Sequence, residues 1–265
     1  MNIKQSYLYF IVATAISIVV RTLMLFFTID TKSGFVKNEY AIVAGVILGI
    51  VVISVVLVFI FTTLTKKTAV QSIPDSNIFK IVSPLLAAVI MYDTLFTTYG
   101  YNVTVWQRSC EMVLAVAAAV SLISFTVTEF FHIEFPKILT VLPVFFWFVR
   151  LVIIFTSFSS ISNIIDNMFE LASLCMTLIA SLQFSKLACI EQAPKKQTIT
   201  FAIALSTSSV CFVTSVPIAI VTLSQNATVL HNSYYPILTT LVTGIYFLTF
   251  ALSCYPVDAA PRHAK

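Results

Sequence analysis

Eight apolar stretches of about twenty residues follow one another along this chain, separated by short connections. A helix of about 20 apolar residues is long enough to cross the roughly 30 Å hydrocarbon core of a bilayer. A helix also satisfies all its backbone hydrogen bonds without water. The pattern predicts an all-α, polytopic bundle of about eight transmembrane helices in one transmembrane domain, residues 1–265. The predicted spans are residues 6–28, 40–64, 78–99, 110–131, 137–157, 165–189, 198–223 and 236–254.

The composition agrees with a bilayer location. Apolar residues make up 59% of the 265 residues and charged residues only 10%, whereas soluble domains carry about 25% charged residues. The longest connections have about a dozen residues, which leaves no room for a separate aqueous domain. We therefore expect the lipid bilayer to be the main surrounding of the protein.

The lysines and arginines of the connections predict the orientation. Eight spans place both termini on one side, and basic residues in short connections favour the cytoplasmic side. The side of the termini carries Lys4, Lys66, Lys67, Lys80, Lys137, Lys186, Lys195, Lys196, Arg262 and Lys265. The other side carries Lys32, Lys37 and Arg108. This bias predicts cytoplasmic termini, and such dispersed charges predict no nucleic-acid partner.

Ionisable side chains inside the spans are the candidate site residues, since each costs about 2.5 to 3.5 kcal/mol to insert. Arg21, Asp93 and Arg150 each lie about 13 to 15 residues after the cytoplasmic end of a span. Glu170 lies about 5 residues after an outer end, and Asp166 lies one turn before it. At about 1.5 Å per residue these side chains share the outer third of the membrane.

Two pairings follow from the shared level. We expect Arg150 to face Glu170 across the hairpin of spans five and six, and Arg21 to face Asp93. Guanidinium and carboxylate groups form strong paired hydrogen bonds. Such pairs either stabilise helix packing or line a path for a substrate or ion. For Arg21, extension of the side chain to the outer interface is a third possibility.

Hydroxyls, prolines and glycines inside the spans predict close packing. The stretches 206–215 and 156–163 are rich in serine and threonine. Their hydroxyls are expected to bond to carbonyls of their own or a neighbouring helix, or else to line a polar cavity. Three prolines, Pro84, Pro143 and Pro217, are expected to kink spans, with the freed carbonyls bonded by neighbouring groups. A small-xxx-small pair, Gly45 and Gly49, is a weak packing motif.

Motifs for common catalytic and cofactor chemistry are missing from the sequence. There is no HExxH, GxSxG or Walker-type glycine loop. The five cysteines show no CxxC pair and are expected to be small buried apolar residues. The three histidines lie outside the spans. We expect an acidic cap at the inner interface, formed by Glu129 with His132 and Glu134 just beyond it. We expect no metal site and no cofactor, and the missing motifs favour a non-enzymatic protein over an enzyme.

Two hairpins support a resemblance. Arg21, the turn "TIDTKSGF" at residues 28–35 and the stretch "FVRLVIIFTSFSSISN" that leads to Asp166 resemble a group of uncharacterised bacterial eight-helix membrane proteins. The similarity covers about a third of the chain. It implies a location in the bacterial cytoplasmic (inner) membrane, and it brings no activity or functional residue.

Two functions remain open at this point. The protein either binds or transports a small solute or ion through an outward-facing polar pocket, or it is a non-enzymatic sensor or partner subunit embedded in the membrane. The pocket would be built from the intramembrane charges. In the alternative, the same charges are structural ion pairs and the partner is another membrane protein. An enzyme acting on a lipid is a third class, for which no nucleophile constellation can be named.

Overall fold

The structure is a computed structural model, and it describes residues 3–28, 38–64, 68–69, 76–96, 103–130, 137–158, 165–189, 194–225, 237–253 and 255–256. Within these residues the chain is a bundle of eight α-helices. Helices α1 to α8 span Ile3–Phe27, Ala41–Thr63, Asn77–Phe96, Val105–Phe130, Leu142–Phe158, Ile165–Cys189, Pro194–Gln225 and Ile237–Leu252. Short 3-10 helices at Asn38–Tyr40 and Lys137–Val141 lead into α2 and α5.

Each predicted span coincides with one of these helices. Seven helices are long and apolar enough to cross a membrane, and α8 is apolar but has only 16 residues. Large apolar side chains are exposed along the outside of the bundle, among them Ile42, Val105 and Phe155. Such a surface suits lipid tails better than water. The helices therefore support a multi-pass membrane protein.

The start of α4 differs from the predicted span by five residues. This helix begins at Val105, whereas the sequence predicts a span from residue 110. The cause is a capping box: the Thr104 amide donates to the Gln107 side-chain carbonyl (2.9 Å), and the Gln107 amide donates to the Thr104 hydroxyl (3.3 Å). This Thr-x-x-Gln pattern begins helices. Because the first turn contains polar residues, the apolar pattern of the sequence does not extend to the true start of α4.

Six helices, α3 to α8, form a closed ring in which each contacts the next and α8 contacts α3. Helices α1 and α2 pack against α7 on the outside of this ring. Helix α7 is consequently the most enclosed, with 78% of its apolar stretch buried against 17% for α2. Its central position explains why many serines and threonines occur in α7, because their side chains face protein and not lipid.

The first and the last described helices meet at one end of the bundle. The Tyr7 hydroxyl near the start of α1 donates to the Ala251 carbonyl at the end of α8 (2.6 Å). Beyond these helices, strand β1 (Thr68–Ala69) pairs antiparallel with strand β2 (Tyr255–Pro256). We call this the terminal end and the opposite one the distal end. An even number of helices requires this arrangement, whichever side of a membrane the terminal end faces.

Two of the three prolines confirm the expectation about freed carbonyls. Pro84 in α3 and Pro143 in α5 have no N–H for the carbonyl four residues earlier. In both cases a hydroxyl from α4 donates to that carbonyl. The bonds run from Thr126 to the Lys80 carbonyl (2.7 Å) and from Ser121 to the Leu139 carbonyl (2.6 Å). Helix α4 thereby stabilises the irregular backbone of both its neighbours.

Candidate functional site

The principal buried charge site surrounds Arg150 in α5. Its guanidinium Nη2 contacts Oδ2 of Asp93 in α3, and its Nη1 lies 3.4 Å from Oε1 of Glu111 in α4. The Thr239 hydroxyl of α8 donates to the same Oδ2 of Asp93 (3.2 Å). We call these four residues the Arg150 cluster. It joins four helices of the ring.

Position along the helices places the Arg150 cluster towards the distal end. Asp93 lies three residues before the end of α3, and Thr239 lies two residues after the start of α8. Glu111 lies six residues after the start of α4. The ring of Phe146, one turn before Arg150, has its centroid 5.8 Å from the guanidinium carbon, within the range of a cation–π contact.

The Arg150 cluster is closed to solvent. The side chains of Arg150 and Glu111 are 0% exposed, and that of Asp93 is 1% exposed. Breaking a buried ion pair by removal of one partner typically costs about 3 to 5 kcal/mol, because the remaining charge is left uncompensated. The cluster therefore couples the positions of α3, α4 and α5 strongly.

Glu111 is the charged member of the cluster that was not among the residues predicted from the sequence. The predicted span began at residue 110, which placed Glu111 at the membrane boundary, where an ionised side chain needs no partner. The observed helix starts five residues earlier, so Glu111 lies more than a turn and a half inside it. Recognition of the Thr104 and Gln107 capping box would have moved Glu111 into the set of candidates.

Arg21 in α1 has a different kind of surrounding. Its Nη1 donates to the Val213 carbonyl of α7 (2.7 Å), and its guanidinium carbon lies 3.8 Å from the centroid of the Phe169 ring of α6. Val213 is four residues before Pro217, so its carbonyl is the one that this proline leaves without an intrahelical donor. The third predicted proline carbonyl is thus bonded by an arginine.

The environment of Arg21 rules out one of the three predicted alternatives. The side chain is fully buried, so it does not extend to the interface. A desolvated guanidinium over an aromatic face gains about 2 kcal/mol or more from the ring quadrupole. Arg21 therefore stabilises the contact of α1 with α6 and α7 while it satisfies the irregular turn before Pro217.

The predicted pairing of charges requires correction. The sequence paired Asp93 with Arg21, but the structure pairs Asp93 with Arg150. Glu170 is buried in α6 next to the Phe169 ring that covers Arg21, and its contact with Arg150 stays a prediction. Asp166 lies in the first turn of α6, and its side chain is outside the described residues.

Three consecutive hydroxyl residues of α7 each contact a different neighbouring helix. This confirms the packing role predicted for stretch 206–215. The bonds join Thr207 to the Met176 carbonyl of α6 (3.2 Å), Ser208 to the Gly244 carbonyl of α8 (2.9 Å) and Ser209 to the Thr14 hydroxyl of α1 (2.8 Å). In the stretch 156–163, Thr156 donates to carbonyls of its own helix, and residues 159–163 are outside the described residues.

Aromatic side chains pack against one another in the centre of the ring, with ring centroids 5.0 Å apart for Phe79 and Tyr246 and 5.2 Å apart for Phe184 and Phe250. A cavity of about 20 Å³ remains beside Trp147, one turn before Arg150. That volume is about enough for a single water.

The remaining sequence candidates carry no site in the described structure. Cys211 is buried as predicted, whereas Cys110, Cys175 and Cys189 are exposed on the helix surfaces, so the prediction of burial is wrong for these three. The side chain of Glu129 and residues His132 and Glu134 lie outside the described residues. Among the described residues, no group of three or more His, Cys, Asp or Glu side chains is placed to hold a metal ion.

Comparisons with family models, with curated proteins and with solved structures find no match to this chain. The geometry of the buried charges is therefore the basis on which a function can be argued.

Proposed function

We propose that this chain is a non-enzymatic partner subunit of the bacterial inner membrane, with both termini in the cytoplasm, and that its intramembrane charges hold the bundle together. One observation carries the proposal. The Arg150 cluster is enclosed, with side-chain exposures of 0 to 1% for its three charged members. In a closed cluster the carboxylates compensate the charge of the arginine, and none of the three groups is accessible to a ligand.

The cavity inside the ring beside Trp147 supports this role over transport. A solute that reached Arg150 through this part of the ring would need a path of at least its own width, and the cavity has about 20 Å³. Small-molecule sites usually have about 300 to 1,000 Å³. Transport past Trp147 would therefore require the ring to open around helices that the cluster itself joins.

The outer surface offers a place where a partner subunit could act. Helix α2 is the most exposed of the long helices, and its side chains are almost all apolar. In a bilayer, helices associate through close packing and interhelical hydrogen bonds rather than through hydrophobicity. Contacts with another membrane protein would thus use shape on the outside of the bundle and leave the charged interior undisturbed.

Cysteine labelling in intact membranes tests the proposal. In a background without the native cysteines, Ile153→Cys places a thiol one turn from Arg150, and Arg108→Cys places one at an exposed position near the start of α4. A membrane-impermeant maleimide should label position 108 and leave position 153 unmodified. Rapid labelling at position 153 would show a water path to the Arg150 cluster and overturn the proposal in favour of solute transport.

A further inference from the structure

The cavity inside the ring is lined by polar side chains from three helices. Its volume is about 20 Å³, and its lining includes Trp147 of α5, Ser181 of α6 and Tyr246 of α8. These side chains are buried, with exposures of 2%, 7% and 4%. Apart from Thr140, the other described residues of the lining are apolar. The cavity is therefore a polar position inside a largely apolar interior.

The polar groups of Trp147, Ser181 and Tyr246 have no hydrogen-bond partner within the described part of the chain. Thr140 differs from them, because its hydroxyl donates to the Lys137 carbonyl (2.7 Å). Buried tryptophan N–H groups and tyrosine hydroxyls usually find a partner, since an unsatisfied buried polar group is costly. Three such groups around one small cavity point to a ligand that forms hydrogen bonds.

Aromatic packing holds the two large side chains in place beside the cavity. The Tyr246 ring centroid lies 5.0 Å from that of Phe79 and 6.5 Å from that of Phe184. The Trp147 ring centroid lies 4.9 Å from that of Phe146. Because protein interiors are packed as densely as organic crystals, neither ring can turn towards another partner without moving its neighbours.

The size and the charge of the cavity select the ligand. A volume of about 10 to 15 Å³ is the least that holds a water molecule, so the cavity accommodates one water and no larger organic molecule. None of the described lining residues is charged. An ion without a charged partner in such a place is far more costly than a neutral molecule. The ligand that fits is small, neutral and polar.

Water also matches the hydrogen-bonding capacity of the three side chains. The indole N–H can only donate, so it requires the water oxygen as acceptor. The hydroxyl oxygens of Tyr246 and Ser181 can each accept one of the two water hydrogens. This arrangement gives the water three hydrogen bonds, which is the usual number for a buried water.

We propose that the cavity binds one water molecule, held by Trp147, Tyr246 and Ser181. The inference goes beyond the proposed function, because it concerns the interior of the ring and requires no partner subunit. The bound water links α6 to α5 and α8, whereas the Arg150 cluster joins α3, α4, α5 and α8. Together the two polar sites connect five of the six helices of the ring.

Nuclear magnetic resonance of the Trp147 indole tests the site directly. Trp106→Phe, at an exposed position of α4, leaves Trp147 as the only tryptophan. The full chain is labelled with 15N-tryptophan and studied in deuterated micelles. We expect a cross-peak between the Trp147 Nε1–H and water that keeps its intensity when the pH is varied. A cross-peak relayed by an exchanging hydroxyl would change with pH, because acids and bases catalyse that exchange.

Two substitutions at Ser181 separate the cavity from its hydroxyl. Ser181→Val fills the cavity and should abolish the cross-peak, whereas Ser181→Ala removes one partner, leaves the space and should retain it. The matched control is Ser224→Val, an equal change at an exposed position of α7, which should leave the cross-peak unchanged. If Ser181→Val did not fold, the pH series on the parent protein would still decide between water and a hydroxyl.

Three results would overturn the proposal. The first is the absence of the cross-peak in the parent protein, and the second is a cross-peak that follows the pH or disappears in Ser181→Ala. The third is a shift of the indole N–H resonance when chloride in the buffer is replaced by sulfate, which would identify a halide ion as the ligand.

Discussion

At the residue scale, each of the two buried arginines contacts several neighbouring helices. Arg150 lies against the carboxylates of Asp93 and Glu111, and Arg21 donates to the Val213 carbonyl and lies over the Phe169 ring. A guanidinium suits both surroundings because it is planar, always charged and weakly hydrated. Each arginine therefore joins helices that its own helix could not hold by apolar contact alone, since lipid tails compete equally for such contacts.

Removal of the Arg150 charge should destabilise the bundle. Arg150→Gln leaves two buried carboxylates without their cation, so we expect a loss of about 3 to 5 kcal/mol in the free energy of unfolding. Unfolding in mixed micelles, followed by circular dichroism, measures the change. The control Arg108→Gln alters an exposed arginine of α4 and should stay within about 0.5 kcal/mol of the parent. Equal stability of both variants would contradict the structural role of the Arg150 cluster.

The contact between Arg21 and Val213 predicts a suppressor. Arg21→Met removes the donor to a buried carbonyl, which should cost about 1 to 3 kcal/mol in unfolding free energy. Pro217→Ala supplies the missing N–H to that same carbonyl, so the double variant should be more stable than Arg21→Met alone. Pro84→Ala, at a proline of α3, should not rescue Arg21→Met. Absence of any rescue by Pro217→Ala would show that the carbonyl bond contributes little.

Four of the five buried charged residues in the described structure could be predicted from the sequence, but their partners could not. Counting residues from the span ends gives the level of Arg21, Asp93 and Arg150 along the membrane normal. It does not give the order of helices around the ring, and that order places α3 and α4 beside α5. Glu111 was not predicted as a buried charge for a separate reason. The first turn of α4 is polar, and a polar stretch is typical of a connection between spans.

At the element scale, α7 and α8 pack closely together at Gly244. A Cβ added there would lie 3.0 Å from the Cβ of Cys211 and 3.3 Å from the Phe212 ring, and the Ser208 hydroxyl donates to the Gly244 carbonyl at 2.9 Å. Small residues allow helix backbones to approach in this way. The sequence motif pointed to Gly45 and Gly49 instead, because a spacing pattern does not show whether another helix lies opposite.

The two kinds of glycine should respond in opposite directions to the same change. Gly244→Ala forces α7 and α8 apart, since a Cβ of Cys211 cannot rotate away, and should cost about 1 to 3 kcal/mol. Gly45→Ala adds a methyl group to open space in a helix and should be neutral or stabilise by up to about 1 kcal/mol. Thermal unfolding of both variants in the same detergent provides the comparison. If Gly45→Ala lowered the stability as much as Gly244→Ala does, the described contact between α7 and α8 would be contradicted.

At the scale of the whole molecule, the even number of helices brings distant parts of the chain to one end. The sequence predicted this from its count of apolar stretches and from the distribution of lysine and arginine. The bond from Tyr7 to the Ala251 carbonyl and the pairing of β1 with β2 agree with the even count. The pairing of β1 with β2 itself could not be foreseen, because two-residue strands in connections have no periodicity to detect.

The pairing of β1 with β2 allows a direct test of the arrangement of helices. Ala69 and Tyr255 are opposite each other in the antiparallel pair, and opposed residues have Cα atoms about 4.5 to 5.5 Å apart. This separation suits a disulfide, which needs about 4.4 to 6.8 Å. In a background without native cysteines, Ala69→Cys with Tyr255→Cys should therefore crosslink under mild oxidation and change the gel mobility of the protein. Ala69→Cys with Arg108→Cys should not, because position 108 lies near the start of α4 at the distal end. A crosslink in the second pair and none in the first would mean that the chain crosses the bundle an odd number of times between positions 69 and 255.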